Sequence, residues 1–230
     1  MSYPIAYGEQ AEVRQRSVIS GAYLWMTVGL AVTGLVSLFT VSSPSMQKLM
    51  NDHVIIFFGI LVVEIILVII LAAAIMRLPT GVATTLFIVY AALNGVTLSG
   101  IFYAYTLSSL ASTFFVTAGT FGVMGFYGYT TKRDLTRIGN LALMALLGVI
   151  LATVVNFFLQ NAILYWITTY LGVLIFVALI AYDNQKLKRM NAAAGGDSAR
   201  RLSILGALML YLDFINLFLF LLRIFGGGRD

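Results

Sequence analysis

Long apolar runs, separated by short polar stretches, dominate the pattern of this chain. Each run has roughly the 20 residues that a helix needs to cross a hydrocarbon core of about 30 Å. None of them contains a proline, which agrees with the usual place of proline in loops. We therefore predict an all-α membrane protein, a bundle of seven transmembrane helices at residues 19–41, 54–76, 82–104, 110–129, 139–160, 163–182 and 203–225.

Composition agrees with a lipid environment. Of the 230 residues, 60% are hydrophobic and 10% are charged, whereas soluble domains carry about 25% charged residues. Cysteine is absent, which excludes disulfides and thiol chemistry, and a single histidine cannot form a histidine metal cluster. The first fifteen residues are polar and mixed, so we expect an uncleaved first span. The expected organisation is a short cytoplasmic segment at 1–18, one transmembrane domain at 19–225 and a tail at 226–230.

Basic residues are distributed unevenly between alternate connections. Eleven lysines and arginines fall on the side of the amino terminus, and three fall on the other side. The positive-inside rule then places the amino terminus in the cytoplasm, and seven spans place the carboxyl terminus outside. This distribution explains the net charge of +5 without a nucleic-acid partner. Because the last run contains Asp213, a re-entrant hairpin that returns the tail to the cytoplasm is an alternative.

Small residues recur at regular spacings in two of the runs. Ala91, Gly95 and Ser99 are spaced by four, and glycines occupy every third position at 119, 122, 125 and 128. Such spacings let helix backbones approach to van der Waals contact, so we interpret them as packing faces. The alternative is that Asn94 and Ser99 face a polar path.

Asp213 is the first candidate for chemistry. A carboxylate in the middle of a membrane costs roughly 2.5–3.5 kcal/mol on insertion scales, so it normally faces the interior of the bundle. The predicted helix places Asp213 about 15 Å deep along its axis. Gly206 and Asn216 lie on the same helix face and make it small and polar. A functional role competes with that of a buried aspartate that fixes helix contacts through hydrogen bonds.

Asp183 lies at the cytoplasmic end of the sixth run. Alone, it is typical of an interfacial carboxylate balanced by nearby lysines. One short loop joins the sixth and seventh helices, so they can pack side by side and bring Asp183 close to Asp213. Two carboxylates together in a low-dielectric site cannot both ionise cheaply, and such a pair acts as a pH sensor. The pair also offers the oxygen ligands that hard cations prefer.

Two further charged residues have open interpretations. Arg77 ends the second run on the side of Asp183, where it either pairs with an aspartate and holds a closed state or serves only as a topogenic charge. Glu64, in the middle of the second run, either lines a cation path or belongs to a local hydrogen-bond network.

Four stretches, in order along the chain, resemble the Bax inhibitor family, also called transmembrane Bax inhibitor motif proteins. The stretch at 210–218 reads LYLDFINLF and resembles the family signature. The others are NGVTLS at 94–99, TTKRDL at 130–135 and YDNQK at 182–186. The hydropathy pattern extends the resemblance to nearly the whole chain, and the short polar amino terminus is similar to the bacterial branch.

The resemblance implies a seven-helix bundle with the last helix at its centre and a pH-sensitive calcium leak as the activity. It assigns the sensing pair to Asp183 and Asp213, and the lock of the closed state to Arg77. It also implies Glu64 as a residue of the pore, beside which Asn94 and Asn216 are further candidates for lining it. No resident cofactor is expected, since calcium is the carried ion, and the bacterial inner membrane is the expected location.

The sequence is compatible with four different functions. A passive, pH-gated leak for calcium or other cations is the leading hypothesis. A non-conducting protein that modulates membrane proteases or stress responses through membrane-protein partners is the main alternative. An intramembrane aspartyl protease also needs two aspartates on adjacent helices, but it requires Gly-x-Gly-Asp where this chain has Leu-Tyr-Leu-Asp at 210–213. A proton-coupled transporter is disfavoured by the lack of proline inside the runs.

Overall fold

The computed structural model describes residues 4–52, 54–190 and 197–227. Over these ranges the chain is helical, with short connections and no β-strand. The helices are α1 (Pro4–Ser42), α2 (Pro44–Asp52), α3 (Val54–Ala74), α4 (Thr80–Leu98), α5 (Ile101–Ala104), α6 (Leu107–Thr130), α7 (Thr136–Leu159), α8 (Ala162–Met190) and α9 (Asp197–Phe225).

The prediction of seven transmembrane helices is confirmed. Within the described residues, seven segments are long and apolar enough to span a membrane, and the third of them comprises α4 and the short α5. The helices extend further than the apolar runs, since α1 begins at Pro4 and α8 continues to Met190. Hydropathy marks only the part of a helix that lies in lipid, whereas alanine, glutamate, glutamine and arginine continue a helix into water. Residues 4–18 of the expected amino-terminal segment are therefore helical.

The last helix is continuous. α9 runs from Asp197 to Phe225 without the chain reversal that a re-entrant hairpin needs. In its most apolar window 67% of the residues are buried, against 11–39% in the other six spans. A last helix at the centre of the bundle would be buried to a greater extent than the others, as α9 is. The central position itself stays a prediction.

Two compact units divide the chain. Unit 1 comprises Met1–Ala104 and Arg189–Tyr211, and unit 2 comprises Tyr105–Lys188 and Leu212–Asp230. The amino-terminal half of α9 thus belongs to unit 1, and its carboxy-terminal half belongs to unit 2.

Close helix contacts in unit 1 depend on glycine. α4 packs against both α1 and α3. A Cβ atom added to Gly95 of α4 would lie 2.6 Å from the carbonyl oxygen of Thr33 in α1, which is far inside van der Waals contact. The packing interpretation of the small residues in α4 therefore holds at Gly95.

The glycines of α6 behave differently from one another. A Cβ atom on Gly128 would collide with the backbone of Ala181 in α8, and Gly125 is buried. Gly119 and Gly122, in contrast, have open space beside them, since no described atom lies within 4 Å of an added Cβ. The predicted packing face is therefore correct at one end of the helix and wrong at Gly119 and Gly122. A spacing of three drifts around a helix of 3.6 residues per turn, so these glycines do not share one face.

A two-residue connection makes α7 and α8 antiparallel neighbours. Gln160 closes α7 in a left-handed conformation, with φ of 50°. The Asn156 side chain accepts a hydrogen bond from the backbone N–H of Asn161 at 2.9 Å. Asn161 in turn accepts one from the N–H of Leu164 at 3.0 Å and caps the start of α8.

Candidate functional site

Asp213 is the most unusual polar residue of unit 2. Its side chain lies in the middle of α9 and is 4% exposed. Its Oδ2 atom has no hydrogen-bond partner among the described residues. Buried polar atoms are nearly always hydrogen-bonded, because an unpaired one loses its water without compensation. An unpaired carboxyl oxygen at this depth therefore requires an explanation.

The structure brings Asp183 into the electrostatic range of Asp213. Asp183 is half-buried near the end of α8, and its negative charge acts unfavourably on the carboxyl group of Asp213. Lys186, one turn further along α8, acts favourably on both carboxyl groups. The two aspartates that the sequence singles out are thus within electrostatic range of each other in unit 2, and Lys186 is within range of both. This arrangement can hold a proton or a cation.

Two further residues near the end of α8, Gln185 and Lys188, hydrogen-bond to the end of α6 and to the α6–α7 connection. The Gln185 side chain donates a hydrogen bond to the carbonyl oxygen of Arg133 at 2.8 Å. Its Oε1 atom accepts one from the N–H of Leu135 at 2.9 Å. Lys188 donates to the carbonyl oxygen of Tyr129 at 2.8 Å and lies over the ring of that tyrosine. Two of the four stretches that carry the family resemblance, at 130–135 and 182–186, are therefore in direct contact.

The Tyr182 ring of α8 packs against α7 at Gly139. A Cβ atom on Gly139 would penetrate the Tyr182 ring, so only glycine permits this contact. Together with Gln185, it fixes the segment of α8 that carries Asp183. The sequence alone predicts no role for Tyr182 or Gln185, although a glutamine among charged residues at a helix end is a signal for such a contact.

Arg77 lies in the turn that follows α3, and its side chain is exposed. It belongs to unit 1, whereas Asp183 and Asp213 belong to unit 2, so the proposed lock stays a prediction. A second arginine binds the same turn, since Arg201 of α9 donates a hydrogen bond to the carbonyl oxygen of Met76 at 2.7 Å. The sequence predicts only a topogenic role for Arg201.

Glu64 belongs to a buried hydrogen-bond network in unit 1. Its side chain is 7% exposed. Thr97 donates to Oε1 at 3.0 Å, and the Asn94 amide donates to Oε2 at 3.3 Å. Of the two interpretations of Glu64, the local network is present in the structure. That Glu64 and Asn94 line a cation path stays a prediction.

Tyr211 extends this network across α9 to α1. Its hydroxyl group donates to Oδ1 of Asn94 at 3.2 Å and lies 2.7 Å from Oγ1 of Thr33. Thr33 also donates to the carbonyl oxygen of Ala91 at 2.8 Å. The Tyr211 ring packs edge-on against Phe87, with the ring centroids 5.8 Å apart. Four helices of unit 1 therefore meet at one chain of polar groups.

The remaining candidates are less distinctive. Asn216 is half-buried in α9, and its amide donates to the carbonyl oxygen of Leu212 of the same helix at 2.8 Å. Ser99 donates to the carbonyl oxygen of Val96. Within the described ranges no three acidic, histidine or cysteine side chains cluster as a metal site, so Asp183 and Asp213 are a two-carboxylate set.

Comparison with known proteins gives one family. Residues 15–230 match the model of the family described as inhibitor of apoptosis-promoting Bax1. Inner membrane protein YbhL of Escherichia coli K12 is 50% identical over 217 residues, which are 93% of either chain. Protein RP147 of Rickettsia prowazekii is 42% identical over 212 residues, with 90% of this chain and 88% of the relative covered. A protein of Borreliella burgdorferi is 39% identical over 207 residues, 89% of either chain.

Proposed function

This chain belongs to the family of inhibitors of apoptosis-promoting Bax1, and we propose that it is a pH-gated cation leak of the bacterial inner membrane, with calcium as the carried ion. The family membership and the seven spans support a multi-pass membrane protein. The inner membrane is proposed because the relative YbhL carries that location in its name.

The observation that carries the proposal is the buried Asp213 carboxyl group, whose Oδ2 has no hydrogen-bond partner among the described residues. A purely structural aspartate would use both oxygens for hydrogen bonds. One oxygen of Asp213 is therefore available to bind a ligand reversibly, and that ligand is either a proton or a cation. The nearby charge of Asp183 makes the doubly ionised state costly. Protonation of the pair is therefore a physical switch.

Calcium suits the chemistry of this pair. It takes oxygen ligands from carboxylates and carbonyls. Two carboxylates are fewer ligands than a storage site uses, and conduction requires binding weak enough to release the ion. A cation that enters the pair would relieve the same repulsion that a proton relieves. Protons and cations would thus compete for one site, which couples flux to pH.

Arg77 is proposed as the lock of the closed state. Its exposure in the turn after α3 leaves the guanidinium free to move, and a charged hydrogen bond to a carboxylate is among the stronger side-chain contacts. Arg201 donates a hydrogen bond to the carbonyl oxygen of Met76 in the same turn and so helps to hold the turn in place.

The test is calcium flux into liposomes that contain the purified protein, scanned from about pH 5 to about pH 8, above the pH at which an isolated aspartate titrates. We expect flux above that of empty liposomes, with a steep dependence on pH. No flux at any pH would reject the leak and leave a non-conducting interaction protein. Cleavage of a labelled transmembrane peptide under the same conditions would instead support the aspartyl protease.

A further inference from the structure

An apolar groove runs along the surface of unit 2 between α7 and α8. Its volume is about 440 Å³. The α7 side is lined by small residues, among them Ala142, Ala145 and Gly148, and the α8 side by larger ones such as Leu171 and Ile175.

The groove offers no polar group to a ligand along its length. Thr168 is the one polar residue of the lining, and its hydroxyl group donates within α8 to the carbonyl oxygens of Leu164 and Tyr165, both at 2.9 Å. A ligand of this groove must therefore be apolar over the buried part.

The dimensions suit a lipid acyl chain. Fourteen residues separate Ile138 from Ala152, the two ends of the lining on α7, which corresponds to about 21 Å of helix. One leaflet of a bilayer is about 15 Å of hydrocarbon, half of the 30 Å core. Gly148 leaves open space, because no described atom lies within 4 Å of an added Cβ. An extended chain that starts at the Ile138 end fits along the groove.

Basic side chains surround the Ile138 end of the groove. Arg137 directly precedes the lining on α7 and is exposed. On α8, Tyr182 follows the lining by one turn, and the exposed Lys186 lies over its ring at 5.8 Å. The exposed Lys132 and Arg133 precede Arg137 in the α6–α7 connection.

Two acidic side chains lie at this end of the groove, against the four basic ones. Asp134 accepts hydrogen bonds from both the N–H and the hydroxyl group of Thr136. Asp183 is half-buried within the aspartate pair. The end of the groove that is predicted to be cytoplasmic therefore presents an excess of positive charge.

We propose that this groove binds an anionic phospholipid, with one acyl chain between α7 and α8 and the headgroup phosphate at Arg137 and Lys186. Basic pockets between transmembrane helices on the cytoplasmic side bind anionic headgroups for this electrostatic reason. The proposal does not depend on the leak activity.

A second copy of the chain fits this groove poorly. Copies in one membrane share one orientation, and a two-fold interface repeats the same surface on both subunits. The Arg137 and Lys186 side chains of both copies would then meet at the same depth, where like charges repel. An anionic lipid neutralises these charges instead.

The test measures lipid bound to the full-length protein in a neutral detergent by native mass spectrometry. The probes are dioleoyl phosphatidylglycerol, dioleoyl phosphatidylcholine and inorganic phosphate. We expect one phosphatidylglycerol bound in preference to phosphatidylcholine, and no competition from inorganic phosphate. Arg137→Gln should weaken phosphatidylglycerol binding about fivefold, the effect of one basic residue near an anionic headgroup. Lys48→Gln, in α2 at the other predicted side, should have no effect.

Filling the groove tests the place of the acyl chain. Gly148→Leu should abolish the bound lipid, while Gly122→Leu adds the same side chain to an open position of α6 and should leave binding unchanged. Ala145→Leu is a second filling variant in case the first does not fold. Equal binding of both lipids, full competition by inorganic phosphate or wild-type binding in the folded filling variants would overturn the proposal. A dimer that Gly148→Leu dissociates would overturn it in favour of a second copy.

Discussion

Tyr211 and Asp213 are two residues apart on α9 and take part in different polar sites. The Tyr211 hydroxyl group completes a network with Asn94 and Thr33 in unit 1. The Asp213 carboxyl group lies within electrostatic range of Asp183 and Lys186 in unit 2. The Tyr211 hydroxyl group has two polar partners, whereas one oxygen of Asp213 has no partner among the described residues. A satisfied network specifies structure and an unsatisfied group is available for ligands, so the two positions should respond differently to substitution.

Tyr211→Phe tests the structural role. The variant keeps the ring contact with Phe87 but removes the hydroxyl group that joins Asn94 and Thr33. We expect a loss of about 1 kcal/mol in the free energy of unfolding, since hydrogen bonds between membrane helices contribute of that order. Unfolding in a sodium dodecyl sulfate titration measures it. Tyr103→Phe is the control, because that side chain is 54% exposed, and it should change stability by less than about 0.5 kcal/mol.

Arg77→Ala tests the proposed lock. If the guanidinium stabilises a closed state, its removal should raise the basal calcium leak of proteoliposomes about tenfold or more at neutral pH, since hydrogen bonds to charged groups contribute about 1.5–3 kcal/mol and about 1.4 kcal/mol is tenfold. Lys48→Ala removes a positive charge from the opposite predicted side and should leave the leak unchanged. A leak equal to that of the wild type, at equal protein content, would leave Arg77 with a topogenic role only.

Glycines determine how closely the helices of unit 2 approach one another. Gly128 of α6 lies against the backbone of α8, and Gly139 of α7 lies against the Tyr182 ring. Gln185 then ties the α6–α7 connection to α8 by two hydrogen bonds. These contacts fix the part of α8 that presents Asp183, and the geometry of the aspartate pair depends on them.

Two alanine substitutions in α6 separate packing from helix propensity. Gly128→Ala places a Cβ atom against the Ala181 backbone, which cannot rotate away, so it should lower the free energy of unfolding by about 1–3 kcal/mol. Gly122→Ala enters open space and should stabilise the helix by up to about 1 kcal/mol. Thermal unfolding in detergent measures both. Equal effects of the two substitutions would contradict the close contact at Gly128.

The seven spans of the whole molecule could be predicted because hydropathy and length determine them locally. Asp183, Asp213 and Glu64 stood out for a similar reason, since acidic groups in apolar helices are rare. The Tyr211–Thr33 contact could not be found, because it joins residues 178 positions apart and neither residue is unusual alone. The roles of Gln185 and Arg201 were missed because both bind backbone carbonyls, which every residue carries. The open space at Gly119 and Gly122 shows the limit of spacing rules without a known neighbour.

Topology is a prediction for the whole molecule. The excess of basic residues on one side predicts a cytoplasmic amino terminus, and the unbroken α9 then predicts an external carboxyl terminus. A phosphatase reporter, active only outside the cytoplasm, should be active when fused after Asp230, and a cytoplasmic fluorescent reporter at that position should be dark. The opposite result would mean that the orientation derived from the basic residues is wrong.

We propose that Asp183 and Asp213 act as one titrating unit. Two negative charges at about 4 Å repel by roughly 4 kcal/mol at an effective dielectric constant near 20, so removal of either charge abolishes the interaction. The most direct test is the pH dependence of calcium flux in Asp183→Asn, Asp213→Asn and the double variant, with Asp52→Asn as a control at an exposed aspartate. Each single variant should flatten the pH dependence, and the double variant should add little to either. Strictly additive effects, or wild-type pH dependence in both single variants, would contradict the claim.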